Sequence, residues 1–254
     1  MTHGEAPRGG AIRGGEQYAP RVRRSGLHSA VVADLGLRIV RGDYAQGQVL
    51  PRADELAAEL GVSRTVVREC LRVLTEKGLL VARQRAGTRV RPRSEWNLVD
   101  PEVIRWQRQA GPDLQFFRDL TEVRSTIEVQ AARLAAGRAT PAELQRMHVL
   151  LAEMEQQLGD RDAYIRADLE LHATILRATH NVLLAQLSDT IAEGLVASRD
   201  VTVRSDGSME GALAQHADVI AAIASRNIDE AATTMDALVQ RALADIEMIL
   251  GGGS

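Results

Sequence analysis

From Leu27 to about Val40 the apolar residues Val31, Val32, Leu35, Leu37, Ile39 and Val40 recur at mostly helical spacing, and Gly42 with Asp43 ends the helix they predict. Gly47 to Pro51 reads as a connection, with Pro51 opening the next element. Asp54 to Leu60 reads as a short helix with Leu56, Ala57 and Leu60 on one face. Gly61-Val62-Ser63 is a tight turn. Ser63 is placed as the N-cap of a helix from Arg64 to about Lys77, which Gly78 stops. Leu79–Ala82 and Thr88–Arg91 read as two short strands, with Gln84–Gly87 as the turn between them.

After Arg93 the pattern becomes helical throughout. Asp100-Pro101 opens one helix, since Pro suits a first helical turn, and Pro112 with Asp113 opens a long one through Ala136. Thr140-Pro141-Ala142-Glu143 joins a capping box to Pro at the first helical position, and Asn227 to Glu230 forms a second box. Between these the periodicity gives helices at about Arg161–Ala178, Val182–Val203 and Met209–Ala224. The expected fold class is mainly α. A winged helix-turn-helix with a small β wing comes first, and an all-α bundle of about six to seven helices follows. The expected divisions are a disordered arm at 1–25, the winged unit at 26–94, a linker helix at 95–110, the helical domain at 111–250 and a flexible tail at 251–254.

Charge sharpens this division. The net charge is only -3, yet Arg21 to Glu95 carries fifteen Arg and Lys against eight acids, and the chain from Trp96 onward carries fourteen against twenty-four. A basic first third on an acidic remainder points to a polyanion-binding module tied to one that does not touch the polyanion. Aromatic residues make up 3% of the chain, too few for a platform that stacks single-stranded bases. No apolar run approaches the roughly 20 residues of a membrane span, and Met1 to Pro20 has no apolar h-region of a secretory signal. With Cys70 as its single cysteine the chain forms no internal disulfide, in keeping with a cytoplasmic location.

Helix, helix, turn, helix and two-stranded wing is the order of a winged helix-turn-helix, whose second motif helix enters the major groove of double-stranded DNA by its N-terminal end. Here that end is Ser63-Arg64-Thr65-Val66-Val67-Arg68. A helix N-terminus attracts phosphate, and Arg64 and Arg68 share one face, where Arg can bind guanine bidentately. Val67, Cys70, Leu71 and Leu74 face inward, and Arg72 lies further along, suited to backbone phosphate. Gln84, Arg85, Gly87 and Thr88 make a small basic wing tip for the minor groove or for phosphates. The competing reading is an ordinary Arg-rich surface helix, since Lys77 is the one lysine among 31 basic residues. That reading leaves the cap, the paired arginines and the wing unexplained.

Gly47-Gln-Val-Leu-Pro, Asp54-Glu-Leu-Ala, Gly61-Val-Ser-Arg-Thr-Val-Val-Arg-Glu, Lys77-Gly-Leu-Leu and Gly87-Thr-Arg-Val together resemble the GntR-family DNA-binding domain. The helical remainder resembles the FadR-type (FCD) effector domain, through Glu122-Val-Arg to Glu128, Asp168 with His172, Asn181 and His216. Trp96-Asn-Leu-Val-Asp-Pro-Glu-Val-Ile-Arg-Trp and Ala178-Thr-His-Asn-Val-Leu-Leu are similar to the galactonate-type sugar-acid regulators of that family. The resemblance implies a homodimeric repressor on a palindromic operator, with Arg64, Thr65, Arg68, Gln84 and Arg85 at DNA-contacting positions. Where several members carry an Arg before the Glu-Leu of the second helix, this chain has Asp54, and Arg52 is placed to compensate in part.

Asp168 and His172 stand four apart on one helix face, and carboxylate plus imidazole is half of a divalent metal site, with His216 on a later helix. The bland alternative for the first pair is a surface ion pair worth about 0.3–0.5 kcal/mol. The family pattern implies one Asp and three His around Zn, Mn or Ni, and the place of the third His reads Leu238. Arg124 lies in an otherwise apolar helix, so its guanidinium needs an anion: Glu128 one turn on, or the carboxylate of a small organic acid. Arg124, Asp168, His172, Asn181 and His216 are thus the expected effector contacts, and a sugar acid such as D-galactonate the expected effector. The alternative is a metal-dependent regulator sensing another organic acid or the metal itself. The sequence holds no nucleophile elbow, phosphate loop, paired CxxC or HExxH, and therefore reads as no enzyme. His148 and His180 are read as surface or helix-end residues with no assigned role.

Overall fold

The computed structural model describes residues 22–83, 86–111, 114–202 and 208–251. α1 (Val22–Arg41) starts five residues before the expected Leu27 and buries Val31, Val32, Leu35 and Ile39, the inner face set by helical spacing. α2 (Ala53–Leu60) and α3 (Arg64–Glu76) form the helix-turn-helix, with Gly61 turning the chain between them. β1 (Leu80–Arg83) and β2 (Gly87–Val90) pair antiparallel, Leu80 opposite Val90 and Arg83 opposite Gly87. The connection before α2 runs along the other edge of β2: Val90 N–H donates to Gln48 O at 3.0 Å and Leu50 N–H to Thr88 O at 2.9 Å. That contact satisfies an edge the sequence leaves open.

The head closes over Leu35, Ile39, Leu56, Val67, Cys70, Leu74, Leu79 and Val90. Cys70 is inert filling, its thiol pushed up to about 11 by burial and by Glu69. α4 (Pro101–Ala110) also belongs to this core, through Val103 and Trp106. A Cβ on Gly36 of α1 would lie 2.6 Å from the Trp106 ring, so only glycine lets α1 and α4 approach this closely. Asp100 caps α4, accepting from Glu102 and Val103 N–H, and the same carboxylate takes Lys77 Nζ at 2.9 and 2.8 Å. The end of α3 is thereby tied to the start of α4. Gly78, at φ +79° with Glu95 O 2.8 Å from its Cβ position, lets the chain turn there.

The body is helical among the described residues. α5 (Leu114–Arg124), a π-helical turn (Ser125–Val129) and α6 (Gln130–Arg138) run as one rod where one long helix is expected. α7 (Pro141–Gln156) begins at the expected box, Thr140 and Glu143 bonding reciprocally. α8 (Arg161–Ala178), α9 (Val182–Ala185), α10 (Ser188–Thr202), α11 (Ser208–Ala224) and α12 (Ile228–Gly251) follow. The single helix expected over Val182–Val203 is a four-residue turn and a separate α10. Val182 and Leu183 are exposed, so no core holds the first turn in line with the rest. α8 is buried on several sides, and α12 presents Ala231, Met235, Leu238, Ala242 and Ile246 inward at helical spacing. No described helix is long and apolar enough to cross a membrane.

Candidate functional site

Two sites follow from this scaffold. The first is the solvent face of α3. Ser63 accepts from Val66 N–H at 3.3 Å, and Ser63, Arg64, Thr65 and Arg68 are all exposed while Val67, Cys70 and Leu74 point inward. The hydrophobic stripe thus fixes which side of α3 is free. Among the described residues neither Arg64 nor Arg68 enters an ion pair, whereas Arg72 is held by Glu69 at 3.1 Å and by Glu76. The charge of Arg72 is already met on its own helix. Arg52 is exposed just before α2, its N–H donating to Glu55 at 2.8 Å. Gly87 opens β2 at φ +80° beside half-buried Thr88. Gln84 and Arg85 lie outside the described residues.

The second site is buried in the body. Asp168 and His172 project from α8, His216 from α11, Arg124 from the end of α5, Glu128 from the π turn and Arg199 from α10, and all six are buried. The Asp168–His172 pair is therefore an interior feature and not a surface ion pair. The contacts form a chain. Arg124 Nε donates to Glu128 Oε1 at 2.6 Å, Glu128 Oε2 meets His172 Nδ1, and Arg199 Nε donates to Asp168 Oδ2 at 2.8 Å. The π turn is what places Glu128, since one extra residue per turn re-aims the helix face locally. Glu128 is the partner of Arg124, as one of the two sequence readings had it.

The charges respond accordingly. Burial pushes Glu128 up, but Arg124 and His172 outweigh it and bring the carboxyl down to about 2. Burial likewise opposes ionisation of Asp168, and Arg199 and His216 hold it well below the usual carboxylate range. Burial disfavours a charged His172, yet Glu128 and Asp168 raise it to about 9, whereas for His216 burial wins and the pKa falls.

With both histidines neutral, as metal ligands must be, three lone pairs face one another. His216 Nδ1 meets Ala212 O at 2.6 Å, an acceptor, so that nitrogen carries the proton. His172 Nδ1 faces the Glu128 carboxylate in the same way. The two Nε2 atoms then stand 3.3 Å apart, and they lie 3.5 and 2.8 Å from Asp168 Oδ1. Bonds of about 2.0–2.2 Å to one divalent ion set neighbouring ligand atoms roughly 3–3.5 Å apart. The donor set fits such an ion, with each imidazole oriented through its other nitrogen by an acceptor. Leu238, at the expected third histidine, is buried and lines a narrow cavity with Arg199, Gln215 and Arg241. Gln215 Oε1 is buried there without a hydrogen-bond partner among the described residues.

Asn181 takes another role. Its side chain caps α9, accepting from Leu183 and Leu184 N–H, and no described hydrogen bond or ion pair joins it to the cluster. Arg199 is the residue that sequence reasoning missed. Leu195, Ser198, Arg199 and Thr202 recur at helical spacing and are all buried, so Arg199 lies on an inward stripe just as Arg124 does. That spacing was the available signal.

A winged helix-turn-helix head whose Arg64 and Arg68 enter no ion pair among the described residues, joined to a helical body with a buried polar cluster, defines a DNA-binding transcription regulator with a helical second domain. Known proteins agree. Residues 27–90 match the model of the bacterial regulatory proteins of the gntR family, and residues 119–241 match the FCD domain. The chain belongs to the GntR family of transcription regulators, in its FadR-like subfamily, and not to an enzyme family. It is 35% identical over 220 residues to the galactonate operon transcriptional repressor of Escherichia coli (strain K12), covering 85% of this chain and 96% of that one. It is 36% identical over 163 residues to the HTH-type regulator YieP of the same organism, 63% of this chain and 71% of that one. The solved structure of Lar, which controls the Listeria monocytogenes agr system, shares the fold: TM-score 0.64 at 18% identity, covering 87% of this chain and 96% of that one.

Proposed function

We propose that this regulator is a homodimeric repressor released from its operator by a small polyhydroxylated carboxylate, a sugar acid such as D-galactonate. The observation that carries the reading is the pair of buried guanidiniums, Arg124 and Arg199, at the two ends of the Glu128–His172–Asp168 chain. A carboxylate ligand competes for a guanidinium on the same terms as Glu128 or Asp168, since each offers two parallel acceptors. The hydroxyls of a sugar acid would supply the donor that buried Gln215 Oε1 lacks among the described residues. The similarity to a repressor of a galactonate operon supports the same class of acid. Asp168, His172 and His216 would hold a divalent Zn, Mn or Ni ion, which supplies a Lewis-acidic contact for an oxygen of the acid.

In this reading the head at 26–94 grips DNA. Arg64, Thr65 and Arg68 read bases, with Ser63, Arg52 and the wing from Gln84 to Thr88 on phosphate or the minor groove. The linker at 95–110 joins it to a sensing domain at 111–250. A second reading, in which the metal itself is the signal, is favoured by the three facing lone pairs. Fluorescence anisotropy on DNA from upstream of the protein's own gene separates the two. Selective release by one acid of a sugar-acid panel supports the first. Release by chelator alone, with every acid silent, discards it for the second.

A further inference from the structure

Four permanent charges are buried together at the cluster. Glu128 and Asp168 are negative, Arg124 and Arg199 positive, and they pair one to one. These four charges cancel one another, and His172 must be neutral to act as a ligand. A divalent ion on Asp168 Oδ1 and the two histidines would leave it two charges in excess, in a place where burial makes uncompensated charge costly. Asp168 is the only carboxylate among the three candidate ligands, and Arg199 already draws on it through Oδ2, at 2.8 Å from Nε. Leu238, where the third histidine is expected, is a buried apolar side chain that offers the ion no donor.

Resting on the metal reading above, we infer that Arg199 is a specificity-determining residue that makes the cation and an anionic ligand bind only as a pair. With the ion alone, Arg199 opposes it across Asp168. With a carboxylate present, Arg199 gains an anion of its own and the excess charge falls. The narrow cavity that Arg199 lines with Gln215, Arg241 and Asp245 has room for about one water, so the anion would meet Arg199 only as that cavity widens. The site would therefore answer to a metal-bound organic anion and ignore free metal.

The test uses the full chain, purified without a His tag and stripped with chelator, and reads nickel affinity by competition with a coloured chelator. Nickel alone is expected to bind Arg199→Gln at least tenfold more tightly than the wild type, because the variant keeps a donor for Asp168 and loses the charge. Arg199→Met carries the same expectation and keeps the test available should the Gln variant fold poorly. Arg199→Lys should behave as the wild type, which a merely structural role for the guanidinium would not predict. Adding 5 mM D-galactonate should tighten nickel binding by the wild type and leave Arg199→Gln unchanged. If it tightens neither while Arg199→Gln still binds nickel more tightly, the opposing charge stands and that acid is discarded. Wild type binding nickel alone as tightly as Arg199→Gln would overturn the inference and leave the metal reading intact. Nickel bound by no variant would overturn both.

Discussion

Arg64 and Arg68 are exposed one turn apart on α3 with no carboxylate among the described residues to hold them, while Arg72 on the same helix is clasped by Glu69 and Glu76. A free guanidinium meets DNA without first breaking an ion pair. Arg64→Ala and Arg68→Ala should therefore each weaken operator binding by about 1–3 kcal/mol, and Arg72→Ala by less than half that. Anisotropy at fixed salt measures all three, and equal losses would count against the distinction. At this scale the sequence was legible where partners are close along the chain. Ser63 as a cap, Arg124 with Glu128 and Asp168 with His172 all lie within four residues of each other or of their bond. It was not legible for Arg199, whose partner Asp168 is 31 residues away on another helix. Asn181 carried family resemblance, yet its oxygen is spent on two backbone N–H groups.

The elements followed from periodicity and caps, with misses where tertiary packing overrode them. The π turn at Ser125–Val129 has no mark in the apolar spacing. It lies against α12, where Ser125 bonds Asp236 and Gln240. The break between α9 and α10 arises because Val182 and Leu183 find no core. The contact of α1 with α4 is the tightest element-level constraint. Gly36→Ala places a methyl where the Trp106 ring already sits, and overpacking of this kind costs about 1–3 kcal/mol. Thermal denaturation should show a fall of several degrees, whereas Gly26→Ala, with nothing near its Cβ position, should leave the transition in place. An unchanged midpoint for Gly36→Ala would mean that α1 and α4 are not held together as described.

Across the whole molecule α4 is the strut between head and body. Trp106 is buried in the head core, Ile104 packs with Phe116, Phe117 and Ala197 of the body, and Lys77 ties the end of α3 to its first turn. Arg105 and Arg108 then grip α10: Arg105 Nε donates to Glu193 at 2.9 Å and Arg108 Nη1 to Asp200 at 2.5 Å. Asp200 is the neighbour of Arg199, so one step along α10 joins the buried cluster to the strut. Arg108→Gln removes a partly exposed pair of roughly 1 kcal/mol. Amide hydrogen exchange over residues 101–110 should quicken about fivefold in that variant, the factor such an energy implies, with α7 unaffected. No change there would sink the role of the pair.

The sequence by itself determined the order of elements, the inward and outward faces of α3, the basic head and acidic remainder, and the family. All of these depend on residues near one another in the chain or on composition, where spacing and capping act locally. The tertiary structure decided the rest. Only it could bring Arg199, Asp168, Glu128 and His216 from four separate segments into one buried set, and only it could show that each of the two carboxylates there meets a guanidinium, Arg124 or Arg199. Burial and long-range pairing fix charge in a low-dielectric interior, and neither is written in the spacing of a single helix.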